Sequence, residues 1–135
     1  MNDQMFYVGQ KAFIEKENNI LLLIPPNGGI DFPGGKIQEG EVDLDISFMR
    51  EVMKETGLKI QVGLPFYRWC FDLQKPHRNA GKKVFLLGFK CKYLSGSVYI
   101  SSEHTKSQWV NKNSYRLLDN GSSHFKALHE YFNTI

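Results

Sequence analysis

A chain of 135 residues with 41% apolar and 23% charged residues has the size and composition of one globular domain, 1–135, able to bury a real core. No apolar run approaches the roughly 20 residues of a membrane span, and the opening MNDQMFYVGQ lacks the basic segment and long apolar core of a signal peptide. The net charge of +3 mildly favours anionic partners but falls far short of a nucleic-acid-binding signature.

Met5 to Ile14 is rich in β-branched and aromatic residues and predicts a strand. Glu15 to Asn19 is a polar turn, and Ile20 to Ile24 predicts a second strand that completes a hairpin. The loop Pro25 to Gly29 breaks regular structure. Ile30-Asp31-Phe32 is a short extended piece running into a tight glycine turn, Phe32-Pro33-Gly34-Gly35. An acidic segment follows, and then one amphipathic helix. Asp43 is suited to the N-cap, because its carboxylate can accept from the free N–H groups of the first turn. Gly57 is suited to the stop, because glycine takes the left-handed conformation at no steric cost. Between them Leu44, Phe48 and Val52, with Met49 beside them, form an apolar stripe. Glu51 and Glu55 stand one helical turn apart and project from one side, next to a second pair, Arg50 and Lys54. With Glu41 just upstream these carboxylates are suited to a hard divalent cation, and magnesium is usually bound by one or two carboxylates plus substrate phosphates. The same spacing also occurs on solvated helix faces, where Arg50 or Lys54 would simply pair with the glutamates.

Beyond the helix, Leu58 to Val62 and Pro65 to Leu73 read as extended, and Gln74 to Lys83 as a polar, basic loop. Phe85, Leu87, Phe89, Cys91 and Tyr93 alternate with Gly88, Lys90 and Lys92, which predicts a second long strand and an antiparallel hairpin with an overlong tip. Ser95-Gly96-Ser97 is a turn. Val98-Tyr99-Ile100 and Gln108-Trp109-Val110 are short strand candidates, and Asn111 to Asp119 a place for a short helix. Ser122 or Ser123 caps a last helix with Phe125, Leu128 and Phe132 inward. This order predicts an α/β sandwich on a mixed sheet. Cys70 and Cys91 lie in apolar strand-like runs and are expected to be buried, reduced thiols in a cytoplasmic protein.

The stretch Gly35 to Leu58 resembles the box of the Nudix hydrolase family: Gly, five residues, Glu, seven residues, then Arg-Glu-apolar-any-Glu-Glu-any-Gly-apolar. Gly35 opens it, Glu41 follows, Arg50-Glu51-Val52 begins the second half and Glu55-Thr56-Gly57-Leu58 closes it. The preceding Phe-Pro-Gly-Gly-Lys is also typical of the family. There are two departures. Residues 42–49 put eight positions where the family has seven, and the extra one falls most simply at Val42, in the loop before the cap. Lys54 stands where the family has the first Glu of its Glu-Glu pair.

The resemblance implies an α/β/α sandwich around a mixed β-sheet. It also implies a Mg²⁺-dependent hydrolase, with Mn²⁺ as a substitute, that cleaves a nucleoside diphosphate linked to another group X. By the same carry-over Glu51 and Glu55 bind metal through their side chains and Gly35 through its backbone carbonyl. Glu41 and Arg50 brace the carboxylates, and the general base is Glu51 or Glu103. Lys54 removes one ligand and is expected to lower the number of bound ions, or to touch a substrate phosphate as a point charge. Arg68, Lys75, His77, Arg78, Lys82 and Lys83 gather around the long loop and could meet phosphates or an acidic X, but the favoured reading is that they solubilise an exposed loop, since loops are polar by default. Tyr7, Tyr67 and Trp69 could stack on a base or pack in the core. His77, His104, His124 and His129 show no metal-ligand spacing. The expected partner is a small nucleotide, with neither nucleic acid nor membrane, and a homodimer is allowed. Lys54 keeps open a weakened, nucleotide-sensing module. An RNA 5′-end pyrophosphohydrolase is the least supported reading, because no long basic stripe is evident.

Overall fold

The structure, a computed structural model, describes residues 1–100 and 106–134. The elements in order are β1 (Tyr7–Lys16), β2 (Asn19–Ile24), β3 (Gly34–Lys36), α1 (Leu44–Thr56), β4 (Lys59–Asp72), β5 (Lys83–Ser95), β6 (Lys106–Val110), a 3-10 turn (Tyr115–Leu118) and α2 (Ser123–Asn133). β1 and β2 form the expected hairpin. Lys16 pairs with Asn19 across a two-residue turn in which Glu17 (φ 53°) and Asn18 (φ 65°) are both left-handed. That hand matches the twist of the flanking strands, and Glu15 Oε1 secures it by accepting from the Asn18 N–H at 2.9 Å.

The sheet runs β4-β5-β1-β2-β6, and β3 also pairs with β1. β1 is its axis. One edge of β1 lies parallel to β5 from Tyr7–Val84 to Glu15–Lys92. The other edge is divided: residues 9–11 take β3, and residues 15 and 16 take β2. Every other pairing is antiparallel, so the sheet is mixed. Successive β1 residues point to opposite faces. Ala12 and Ile14 join Leu21, Phe48, Val52, Leu58, Ile60 and Cys91 in a core beneath α1. Phe13 joins Phe32, Trp69, Leu86, Phe125, Leu128 and Phe132 in a second core beneath α2. The outcome is a mixed sheet between two helices, the expected sandwich.

Several expectations change in detail. Leu44 is 39% exposed, so the buried stripe of α1 begins at Phe48 rather than one turn earlier. Residues 58–73 contain one strand rather than two extended pieces, with its pairing shifted between Val62 and Pro65, where proline has no N–H to donate. On β5 the deeply buried residues are Val84 and Leu86 on one face and Cys91 on the other, because helices cover both faces. Val98-Tyr99-Ile100 is not a strand. The Tyr99 N–H instead donates to the Thr56 carbonyl at 2.6 Å, satisfying an end of α1, while β6 occupies the edge of β2. Cys70 is exposed on the edge strand β4, contrary to expectation, and Cys91 is buried; both are free thiols. Ser122, not Ser123, caps α2, its Oγ accepting from the Phe125 N–H at 3.1 Å.

Candidate active site

Local chemistry sets the ends of α1 and packing sets its rotation. Asp43 Oδ1 accepts from the Ile46 N–H at 3.0 Å, and Gly57, at φ 77°, donates its N–H to Met53 O at 2.8 Å. Val42 stands outside the helix and is 95% exposed, so the additional residue of the box leaves the helical register intact. Phe48 and Val52 lock one row of the helix into the core, which turns the neighbouring row, Glu51 and Glu55, toward β3.

Glu55 is only 5% exposed, and its Oε1 accepts from the Gly34 N–H at 2.7 Å. Such a charge-assisted bond is short and strong, and it ties the last turn of α1 to the glycine strand. Gly34 has φ 135°, and a Cβ there would run into the carbonyl oxygen of Gln10. Only glycine lets β3 approach β1 so closely. Gly35 lies flat against Glu51: a Cβ on it would stand 3.4 Å from Glu51 Cγ and 3.7 Å from its Oε1. The turn foreseen at residues 32–35 is therefore partly a strand, and its backbone faces both carboxylates.

Glu51 is half-buried and stands between two hollows. The larger, about 480 Å³, is bounded by Gly34, Gly35, Glu51 and Glu55 on one side and by Lys11, Asp31, Phe71 and His124 on the other. The smaller, about 230 Å³, is bounded by Gln10, Gly35, Glu41, Ser47, Arg50 and Glu51. Glu41 Oε1 accepts from the Gln38 N–H, and Glu41 Oε2 lies 3.6 Å from Arg50 Nη2. The Gln38 N–H and then the Ser47 hydroxyl hold the Glu41 carboxyl below the usual range; burial opposes them, and the Arg50 guanidinium adds a lesser lowering.

The remaining candidates are scattered. Lys54 is exposed and lines neither hollow, and the same is true of Arg68 on β4. Lys83 pairs with Asp72 at 2.7 Å at the base of the long loop, and that bond raises the pKa of its ammonium group. His77 reaches the larger hollow from this loop, its Nδ1 accepting from the Asn79 N–H at 2.9 Å. Trp69 is buried and stacked on Tyr67 with centroids 6.0 Å apart, so both pack against the α2 core. Tyr7 is exposed, with Lys36 Nζ 5.2 Å above its ring. Glu103 and His104 lie outside the described residues.

Sequence reasoning passed over a cluster on the far wall of the larger hollow. Lys11 Nζ lies 3.0 Å from Asp31 Oδ1 and donates to the Phe32 carbonyl at 3.2 Å. His124 Nε2 lies 3.5 Å from the same Asp31 oxygen, and its Nδ1 accepts from Trp69 Nε1 at 3.4 Å. These residues come from β1, the loop before β3, and the start of α2. The available signal was Lys11 itself, a charge directly before the apolar run Ala12-Phe13-Ile14.

Among the described residues no three His, Cys, Asp or Glu side chains are gathered as a ready metal cage. The donor chemistry nevertheless suits a hard cation. Two carboxylates one helical turn apart face a backbone segment whose glycines allow close approach, and all the donors are oxygens. Magnesium keeps several waters and needs few protein ligands.

The NUDIX domain family matches residues 7–131 of the chain. A MutT-like protein of Streptomyces ambofaciens is 29% identical over 105 residues, 76% of this chain, and the chain spans 62% of that relative's length. Among solved structures, the MutT protein from Methanosarcina mazei Go1 is similar at a TM-score of 0.79 and 26% identity, over 99% of this chain and 97% of that one. An ADP-ribose pyrophosphatase from Streptococcus suis is similar at a TM-score of 0.69 and 22% identity, over 96% and 92%, a likeness of fold.

Proposed function

The chain belongs to the Nudix hydrolase family, and from that premise we propose that it is a Mg²⁺-dependent pyrophosphohydrolase cleaving the diphosphate of a small nucleoside diphosphate linked to a group X. The observation that carries this reading is the pairing of Glu51 and Glu55 with the Gly34–Gly35 backbone at the edge of the 480 Å³ hollow. Glu51, Glu55 and the Gly35 carbonyl are the groups that would hold the cation. A bound Mg²⁺ supplies charge neutralisation at the diphosphate and a more acidic water.

The chain's own residues supply the rest. Glu55 fixes β3 through the Gly34 N–H, so the backbone against Glu51 is set before substrate arrives. Lys11, Lys36, His77 and His124 place donors around the hollow for an anionic ligand, and Phe71, Val84 and Leu86 give it an apolar side. In the reaction a water oxygen bonds to one phosphorus and the bridging P–O bond breaks. The water's protons pass to a base and to solvent, and the products are a nucleotide and a phosphorylated X. Glu51 faces the hollow and is the base candidate among the described residues. The position of Lys54, exposed and outside both hollows, supports catalysis over a merely sensing module, because its ammonium does not line the space the cation would take.

The test is a panel of nucleoside diphosphate derivatives incubated with protein and Mg²⁺, followed by separation of products. Cleavage of a small member into two phosphorylated products is expected. Binding without cleavage across a wide Mg²⁺ range would favour the sensor, and activity confined to triphosphate-ended RNA would redirect the assignment to RNA ends.

A further inference from the structure

The row of β1 that faces α1 runs Gln10, Ala12, Ile14. Ala12 and Ile14 are core residues, yet Gln10, only 6% exposed, is an amide. A buried amide is costly unless its donors and acceptor are bonded. Gln10 Nε2 donates to the Leu44 carbonyl at 3.5 Å. Because that partner is an acceptor, the NH₂ end must point to it, and the amide oxygen turns the other way. Among the described residues Gln10 Oε1 accepts no hydrogen bond. Gln10 is the register partner of Gly35, and it lines the smaller hollow together with Glu41, Ser47, Arg50 and Glu51. At about 230 Å³ that hollow has room for ordered water between polar groups.

We propose that Gln10 is a positioning residue for Glu51, acting through water held in the smaller hollow. A water molecule has two hydrogens, and Gln10 and Glu51, each carrying an acceptor oxygen, line one small space. A water donating to both satisfies the buried amide oxygen and restrains the carboxylate from behind. The opposite side of Glu51 then stays turned to the larger hollow. Bracing of this kind tunes metal ligands, and its loss typically costs about tenfold or more in affinity or rate. The inference rests on the assignment of Glu51 as a metal ligand.

The test compares the parent with Gln10→Met, which keeps the volume and loses the polar atoms, and Gln10→Glu, which keeps an acceptor oxygen at the same reach. Gln10→Ala replaces the methionine variant should that one not fold. Calorimetric Mn²⁺ binding is read on all of them, together with kcat and KM on whichever panel member is cleaved. Gln10→Met is expected to melt no lower than the parent, to bind Mn²⁺ about tenfold more weakly and to lose about tenfold in kcat with KM unchanged. Gln10→Glu is expected to restore most of both. Metal affinity and kcat equal to the parent's in Gln10→Met would overturn the proposal, as would a loss in Gln10→Met matched by lower melting, which marks a packing role. Glu51→Gln keeps the two assignments apart. Unchanged metal affinity in that variant would overturn the ligand assignment and the bracing with it. If the parent cleaves nothing, the pyrophosphohydrolase reading fails, and the Mn²⁺ comparison alone decides the role of Gln10.

Discussion

The two faces of β1 carry cores of different character. Beneath α2 the core is built on rings: Phe13 stacks on Phe32 with centroids 4.1 Å apart and on Tyr131 at 5.6 Å, and meets Phe66 edge-on at 4.7 Å. Beneath α1 the buried residues are mostly aliphatic, with Ala12, Ile14, Leu21, Val52, Leu58 and Ile60 around Phe48, whose ring meets the half-buried Phe89 at 5.4 Å. Polar groups follow the same division. The α2 side meets the larger hollow through Lys11, Asp31 and His124. The α1 side ends in Gln10 and the smaller hollow. The two faces differ in what they fix: the α2 face packs rings on one another, and the α1 face keeps α1 in register with β3 through the Glu55–Gly34 bond, so that two carboxylates meet a glycine backbone.

The sharpest way to break this comparison is Phe13→Ala. Removing a fully buried ring at the hub of the aromatic core should cost about 4 kcal/mol, against about 3 kcal/mol for Ile14→Ala on the other face. Urea denaturation midpoints at an unchanged slope would measure both, and equal losses would erase the distinction.

Next in size are the carboxylates. Glu51→Gln and Glu55→Gln should each lower Mg²⁺-dependent turnover by about 100-fold or more, the loss of one charged contribution to transition-state stabilisation. They should differ in stability. Glu55→Gln weakens a charge-assisted bond to the Gly34 N–H and should lower stability by about 1 kcal/mol, whereas Glu51→Gln should melt like the parent. Identical melting of the two would mean that the Glu55–Gly34 bond does not hold α1 to β3.

The cysteines sharpen the contrast between an edge strand and the α1 core. Burial pushes the Cys91 thiol up to about 12, while Cys70 is exposed. One thiol per chain should therefore react with an aromatic disulfide reagent at mildly alkaline pH, and Cys70→Ser should abolish that reaction. The folded state holds the Cys91 proton more tightly than the unfolded chain does. Its contribution to stability is thus complete below the ordinary value of 9.0 and lost as pH rises toward about 12. Fast labelling of both thiols in the folded protein would contradict the burial of Cys91.

The smallest effect belongs to Lys54. Exposed and outside both hollows, it should influence a cation only at long range. Lys54→Glu should tighten apparent Mg²⁺ affinity by no more than ~1 kcal/mol, less at high salt. A titration showing a much larger gain would place the ammonium close to the metal.

The sequence by itself determined what local chemistry decides. Asp43 and Gly57 bound α1 because caps involve only neighbours along the chain, and for the same reason the sequence confines the start of α2 to Ser122 or Ser123, of which the structure uses Ser122. The spacing of Glu51 and Glu55 puts them on one side of the helix whatever surrounds it. The hairpin of β1 and β2 was legible because a polar turn separates two apolar runs. Tertiary structure decided what covers each face. Periodicity says that Leu44 and Phe48 share a stripe, but only the docking of α1 left the first exposed and buried the second. It also gave the Thr56 carbonyl to Tyr99, so that Val98-Tyr99-Ile100 did not become a strand. Lys11, Asp31 and His124 are far apart in the chain and meet only because β1, the loop before β3 and α2 converge. The same holds for Gln10, which reads as one more polar residue in a strand until β3 and α1 close over it. Caps and helix spacing follow from forces acting across a few residues, whereas a burial partner is chosen by the whole chain folding back on itself.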